Sequence, residues 1–388
     1  MDYRFSEEYA LFRSVARDFI QKEVAPRADR HDKEGMIQSE LYEAFAKAGM
    51  MGLSIPEAYG GAGAGETGLC ILSEEMGRVC ASTSTAIGAH SGIGSMPILL
   101  EGTQEQKKKY LIPLAKGEKI GAFALTEPQA GSDASNMKTS AKKMGDHFLL
   151  NGSKLWITNG GVANTFTVFA MLERSAGIRG GMSAFIVEKD FEGFSVGTHE
   201  KKLGIKGSST TELFFDDCRI PLENLLGKPG TGFRLALNVL DYGRITLAAS
   251  CLGSAKTALE LSIQFATTRV QFGKAIAENQ IIQSYLAEMA TRIQAMEHMV
   301  YHAAWLADNE QPFGTEAAMA KLFCSENSSW IINKALQIHG GMGYMADYPI
   351  ERMHRDARIA EIFEGTNEIQ KLVIAANLLK AKKRSGAS

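Results

Sequence analysis

The chain has 388 residues, 45% of them hydrophobic and 22% charged, with a formal net charge of −2. That is the composition of an ordinary globular protein, long enough for two or three domains. Without a basic stripe it offers no nucleic-acid surface, and no apolar run approaches the about 18 residues of a membrane span.

The first residues, MDYRFSEEYA, resemble neither a secretory signal nor an arginine-rich transit peptide. A bacterial cytoplasm is therefore expected, or a mitochondrial matrix if a transit peptide has been removed. The five cysteines, Cys70, Cys80, Cys218, Cys251 and Cys324, contain no CxxC pair. Free thiols in a reducing compartment are expected, and no metal site.

Residues 1–120 read as a helical domain. FSEEYALFRSVARDFIQKEV places Tyr9, Phe12, Val15, Ala16, Phe19 and Ile20 near helical spacing behind a Ser6 N-cap, with Pro26 as its stop. SELYEAFAKAGMMG gives a second helix, and TGLCILSEEMGRV and TQEQKKKYLIPLAKG give further ones. GAGETG at 63–68 has the GxGxxG form, but SIPEAYGG precedes it where a dinucleotide loop needs a strand. A glycine-rich loop before a helix is the expected reading.

From 121 to 228 short β-branched and aromatic segments alternate with glycine, asparagine and aspartate turns: GAFALT, HFLLNG, KLWITN, TFTVFAML, MSAFIVE, TELFFDDCRI. This spacing predicts a middle antiparallel β-domain. From 229 to 388 three long helical runs precede a shorter one after Gly365, which predicts a C-terminal four-helix bundle. The chain is thus read as a multidomain α+β protein. The tail KAKKRSGAS is expected to be disordered. His298 and His302 lie one turn apart, but Met299 stands where HExxH needs glutamate, so two half-buried imidazoles on a helix are expected, with Met289, Met296 and Met299 as core packing.

Five segments carry candidate chemistry. FALTEPQAGSDASN (123–136) is a strand end running into small hydroxyls and exposed backbone, suited to a polar ring edge or a phosphate, or simply a turn. In KLWITNGG, Trp156 and Thr158 alternate with Ile157, offering a flat face beside a hydroxyl, as a half-buried sheet tryptophan also would. TRVQFGKAIAENQ carries Arg269, Phe272 and Gln280 at a helix end and the start of the next. QIHGGMGY places Gly340 and Gly341 at a close approach or a C-cap. In RIAEIFEGTNEIQ, Glu364 stands between Phe363 and Gly365 at a helix junction, where it is either exposed or tuned for proton transfer.

These strings, together with IPEAYGG and KLGIKGSSTTELFFDD, resemble the acyl-CoA dehydrogenase family of flavoproteins from end to end. The resemblance implies a helical domain, a β-domain and a four-helix bundle, with FAD as cofactor and a homotetramer in which a neighbour also contacts the flavin. It implies that Phe123, Leu125, Thr126, Gly131 and Ser132 line the flavin, with Trp156, Ile157 and Thr158 against its ring. Arg269, Phe272 and Gln280 would be cofactor contacts from the bundle. Gln337, Ile338, His339, Gly340 and Gly341 would form the loop that reaches a partner's FAD, and Thr366, Asn367 and Glu368 would lie near the diphosphate at a helix N-terminus. Asp241, Arg244, Ser132 and Gly365 would border the acyl-CoA substrate.

By the same resemblance Glu364 is the base that removes an α-proton from an acyl-CoA thioester, while the β-hydride passes to flavin N5 and the product is a trans-2-enoyl-CoA. Electrons would go to an electron-transferring flavoprotein. In the isovaleryl and long-chain branches the base comes from the helix that here reads LDYGR, and Gly243 stands at that place. The role therefore falls on Glu364, and a short- or medium-chain acyl group is the first expectation. An acyl-CoA oxidase or a flavin monooxygenase on the same fold, or a non-catalytic helical scaffold, are the rival readings.

Overall fold

A computed structural model describes residues 5–385, with side-chain surroundings through residue 380. Helices occupy the chain on either side of a central sheet. The helices that build the site are α1 (Glu7–Phe19), α2 (Gly65–Gly77), α3 (Ala81–Ala89), α4 (Gly232–Thr268), α5 (Gln280–Asp308), α6 (Gly314–His339), α7 (Pro349–Ala357) and α8 (Asn367–Ser385). Ser6 caps α1 by accepting from the Tyr9 N–H at 3.3 Å. Pro26 does not stop the first helical run: it lies in a 3-10 turn that leads from a π-helical turn into another α-helix. A proline near a turn's start sacrifices no bonded N–H, so the helical run continues through it instead of ending. Gly65 follows a loop, not a strand, so no dinucleotide-type turn forms at GAGETG.

The sheet has eight strands: β1 (Gly121–Ala124), β2 (Ser140–Met144), β3 (His147–Thr158), β4 (Thr165–Met171), β5 (Met182–Glu188), β6 (Phe194–His199), β7 (Thr210–Pro221) and β8 (Leu225–Leu226). A hairpin, β9 (Val270–Gln271) with β10 (Lys274–Ala275), lies apart from it. Antiparallel pairing predominates, as expected, but β1 runs parallel to β4, as does the single β2–β4 pair Ser140–Met171. Every residue of β4 is buried, Thr165 and Thr167 included, because both of its faces are covered. In β3 Phe148 and Leu150 are buried, and so is Lys154 at the same parity. A register shift between Lys154 and Ile157 marks a bulge at Leu155 and Trp156.

The three layers are tied by buried polar groups. Neutral His90 accepts from the Gly121 N–H at 2.9 Å through Nδ1 and donates to the Leu114 carbonyl at 3.1 Å through Nε2, fixing where β1 starts. Burial drops its pKa to about 4. Asp308, at the end of α5, accepts from the Glu66 and Thr67 N–H groups at 2.6 and 3.0 Å and so caps α2 from a remote part of the chain. Glu74 of α2 is reached by Arg13 at 3.0 Å and Lys256 at 2.8 Å. Of the tail expected to be disordered, residues 380–385 continue α8, and 386–388 lie outside the described residues.

Candidate active site

Between the strand ends of the sheet, helix α3 and helix α4 lies a cleft of about 710 Å³. Its far wall is the turn after α7, residues 358–366. The sheet contributes Phe123, Leu125 and Thr126 from the end of β1, and Trp156, Ile157 and Thr158 from the end of β3. Gly131 and Ser132 close the loop between them. Sequence positions about thirty residues apart converge because Leu155 donates its N–H to the Thr126 carbonyl at 2.9 Å, zipping the two strand ends together.

Trp156 is the conformational oddity of this wall. It sits on the β3 bulge with φ +57° and is 60% exposed. A left-handed backbone at a bulky residue costs on the order of 1–3 kcal/mol and persists only where its surroundings impose it. Among the described residues no aromatic ring stacks on the indole. An unstacked aromatic face, flanked by the Thr126 and Thr158 hydroxyls and backed by the apolar Leu125 and Ile157, suits a planar heteroaromatic ring with a polar edge. The residues present therefore fit a flavin.

Opposite stands Glu364, also left-handed, with φ +54°, followed by Gly365 at φ +90°. The junction is held from outside: Arg244 Nε and Gln370 Nε2 each donate to the Glu364 carbonyl at 3.3 Å, and Gln370 Nε2 donates to the Gly365 carbonyl at 2.9 Å. Arg244 is fixed by Asp241, one turn earlier on α4, at 2.6 Å. The backbone is thus pinned while the carboxylate stays free: Glu364 Oε2 is buried and has no hydrogen-bond partner. Burial pushes the Glu364 pKa up to about 7, against the opposing pull of the Arg244 and Lys321 charges. A carboxylate in this condition is desolvated and ready to accept a proton. A β-carbon added to Gly243 would lie 2.6 Å from Glu364 Oε2, so α4 makes room for this side chain by carrying glycine there.

The other expected residues fall in two places. Thr366 borders the cleft, but Asn367 is turned into the chain, its side chain between Lys321 Nζ at 2.8 Å and Ser325. Glu368 lies off the cleft in the first turn of α8. Asp241 is likewise off the cleft and acts on it through Arg244. Arg269, Phe272 and Gln280, with Gln337 through Gly341, gather at the far end of the bundle. There the Phe265 and His339 rings stack at 4.5 Å. From Gly243 to Arg269 along α4 is about 39 Å at helical rise, so within one chain this second group does not reach the cleft. Phe272 stands on the β9–β10 hairpin at φ +54°, fully exposed.

Sequence reading missed two buried groups near the cleft. Lys154 and Glu127 form an ion pair at 2.8 Å beneath the flavin-type wall. The legible signal was a lysine at the core-facing parity of β3. Glu66 sits behind α4, accepting from the Thr246 hydroxyl at 2.9 Å, and burial pushes its pKa to about 8. Only the packing of α2 on α4 reveals it.

Three family profiles match successive parts of the chain: the acyl-CoA dehydrogenase N-terminal domain at residues 6–118, the middle domain at 122–218 and the C-terminal domain at 230–379. The short-chain specific acyl-CoA dehydrogenase of Clostridium acetobutylicum is 45% identical over 98% of this chain and 100% of its own length. The butyryl-CoA dehydrogenase structure from Megasphaera elsdenii superposes with a TM-score of 0.95 at 41% identity, covering 98% of this chain and 100% of that one. A chain solved in work on the electron transferring flavoprotein of Acidaminococcus fermentans and flavin-based electron bifurcation superposes with a TM-score of 0.96 at 43% identity, covering 98% and 100%.

Proposed function

The chain belongs to the acyl-CoA dehydrogenase family, whose members depend on FAD, and from that we propose that it removes two hydrogens from the α and β carbons of a saturated acyl-CoA, leaving a trans-2-enoyl-CoA. The observation that carries this reading is the buried, unpartnered carboxylate of Glu364 facing the cleft across from Trp156 and Thr158. FAD bound there supplies the two-electron acceptor for the hydride that leaves the β-carbon.

Glu364 takes the α-proton. Its raised pKa matches a base that must hold a proton at neutral pH, and the apolar side chains around it exclude the water that would otherwise weaken it. Arg244 and Gln370 keep the junction from relaxing, so the carboxylate need not be reoriented at the moment of reaction. Among the described residues the Glu364 N–H has no acceptor, which leaves it available to polarise the thioester carbonyl. Phe123, Leu125, Thr126, Gly131 and Ser132, with Trp156 to Thr158, serve as the flavin-facing wall, and Thr366 borders it. Ser132, Arg244 and Gly365 border the substrate, with Asp241 holding Arg244.

A short-chain acyl group is the proposed substrate, supported by the relatives named above as short-chain specific and butyryl-CoA dehydrogenases. Electrons pass to an electron-transferring flavoprotein, a partner supported by the similarity to a chain from the Acidaminococcus work. The second group, Arg269 to Gln280 with Gln337 to Gly341, serves the flavin of another copy in a homotetramer. Its separation from the cleft of its own chain and the exposed Phe272 support this. No helix among the described residues is long and apolar enough to cross a membrane. All five thiols are free and buried, in keeping with a reducing compartment such as a bacterial cytoplasm.

Anaerobic mixing of the purified protein with saturated acyl-CoAs of graded length, watched at the visible flavin band, tests the reading. Bleaching by short acyl-CoAs is expected. A flavin that no thioester bleaches would refute the proposed activity, and rapid return of colour in air would mark an oxidase instead.

A further inference from the structure

The wall that carries Trp156 contains a feature that the reaction does not use. Lys154 is completely buried and Glu127 nearly so, and neither borders the cleft. Burying two charges is rarely a stability device: a buried ion pair replaced by apolar groups of similar volume is often neutral or stabilising. The bonds these two side chains make tell what else they do.

Lys154 Nζ donates to Glu127 Oε1 at 2.8 Å and to the Leu125 carbonyl at 3.1 Å. Glu127 accepts in turn from two backbone groups of the next segment, Thr139 N–H at 3.0 Å on Oε1 and Lys138 N–H at 2.6 Å on Oε2. Oε2 also accepts from Gln129 Nε2 at 2.7 Å, within the loop that ends in Ser132. Three stretches of chain therefore meet on one ion pair: the end of β1 with its loop, the segment entering β2, and β3 immediately before its bulge. The Leu155–Thr126 backbone bond lies between the Lys154 and Glu127 anchors. Past it the chain turns into the left-handed Trp156.

We propose that Lys154 and Glu127 are positioning residues, an internal clamp that sets the spacing of the two strand ends against which the flavin ring packs and holds Trp156 in its strained conformation. This rests on the reading of the cleft as the flavin site. The clamp works through main-chain atoms: Lys154 fixes the Leu125 carbonyl, Glu127 fixes the 138–139 amides, and the wall residues Leu125, Thr126 and Trp156 follow. Neither side chain touches the flavin. A charge pair suits the task because both Glu127 oxygens must accept from N–H donors, which an amide cannot do with its NH₂ end.

The test uses three variants and two readouts. Lys154→Met, Glu127→Gln and the double variant are compared with wild type for FAD dissociation constant, by titrating FAD into flavin-stripped protein, and for thermal unfolding. Each single variant is expected to weaken FAD binding roughly tenfold or more, a typical consequence of a loosened supporting shell. The double variant, free of an unpaired buried charge, is expected to regain most of the lost melting temperature but not the flavin affinity. Should Lys154→Met fail to fold, the isosteric Glu127→Gln decides the matter. Wild-type affinity in either folded single variant, or affinity that returns together with melting temperature in the double, overturns the clamp. Wild-type protein that binds no FAD overturns the clamp together with the flavin reading of the cleft.

Discussion

The α-carbon of Gly243 and the carboxylate of Glu364 share one space: a single methyl group on Gly243 would come within 2.6 Å of Glu364 Oε2 and 2.7 Å of Ile93 Cγ2. The proposed base therefore owes its position to the absence of a side chain on a helix more than a hundred residues earlier. Gly243→Ala is expected to leave flavin content unchanged, because no flavin-wall residue is disturbed, and to lower kcat on the order of a hundredfold, the cost of misplacing a reacting group by about 1 Å. Steady-state turnover beside the flavin-to-protein ratio checks this, and a fully active variant would mean that the carboxylate works from another place.

Removing the proposed base is a larger change. Glu364→Gln keeps shape but cannot take a proton, and turnover is expected to fall on the order of thousands-fold or more. On the proposed mechanism the carboxylate is the active form, and its pKa is raised to about 7. kcat/KM, which reports the free enzyme, should rise with pH as the medium passes through about 7 and then level. A flat profile across that range would assign the proton to another group.

Glu66 links the same region to stability. Burial raises its pKa to about 8, so the folded chain binds a proton there that the unfolded chain has lost. A raised carboxyl contributes stability fully present below its unfolded pKa, near 4.5, and lost as pH climbs through about 8. Glu66→Gln retains the Thr246 contact without the ionisation. Its melting temperature relative to wild type should therefore improve by a few degrees between mildly acid and mildly alkaline buffer. A constant difference at all pH values would show that Glu66 does not titrate in this range.

Asp308 caps a helix that belongs to another part of the chain, through two N–H bonds at 2.6 and 3.0 Å. Gly65, at φ +64°, leaves the space the Asp308 carboxylate occupies. Asp308→Ala is expected to cost about 1–2 kcal/mol, the upper range for losing a cap, and to lower the melting temperature while FAD affinity stays at the wild-type value. Denaturant titration measures the loss.

The exposed end of the bundle tests the proposed assembly. Val270 is 57% exposed, Ile281 58% and Phe272 entirely so, an apolar patch that a lone chain would leave in water. Phe272→Asp should shift the protein from tetramer to smaller species in sedimentation and weaken FAD retention. An unchanged tetramer would place the subunit contacts elsewhere.

Much of the site was legible because its parts are local strings. FALTEPQAGSD, KLWITN and IFEGTNEI each carry residues that line the cleft, and the structure brings all three to one cavity. The long helices were legible too: 232–268, 280–308 and 314–339 follow from helical spacing, with Gly340 and Gly341 closing the third. The parallel entry of β1 beside β4 was not, because strand direction depends on a pairing partner forty residues away and leaves no trace in alternation. Pro26 misled for a related reason, since a proline ends a helix only where an N–H bond would be lost.

By itself the sequence determined which chemistry the chain can carry: a carboxylate at a helix junction, an aromatic beside hydroxyls, glycine at position 243, and the order helices, strands, helices. Tertiary structure alone decided which of those groups work together. It separated Arg269 and its companions from the cleft by the length of α4, turned Asn367 inward, and left Glu364 Oε2 without a hydrogen-bond partner while Lys154 and Glu127 found each other. The reason is physical. A residue's type is written in the chain, but its protonation and reach depend on how much water is removed from it and on which charges come near, and those neighbours are set by packing between segments far apart in sequence.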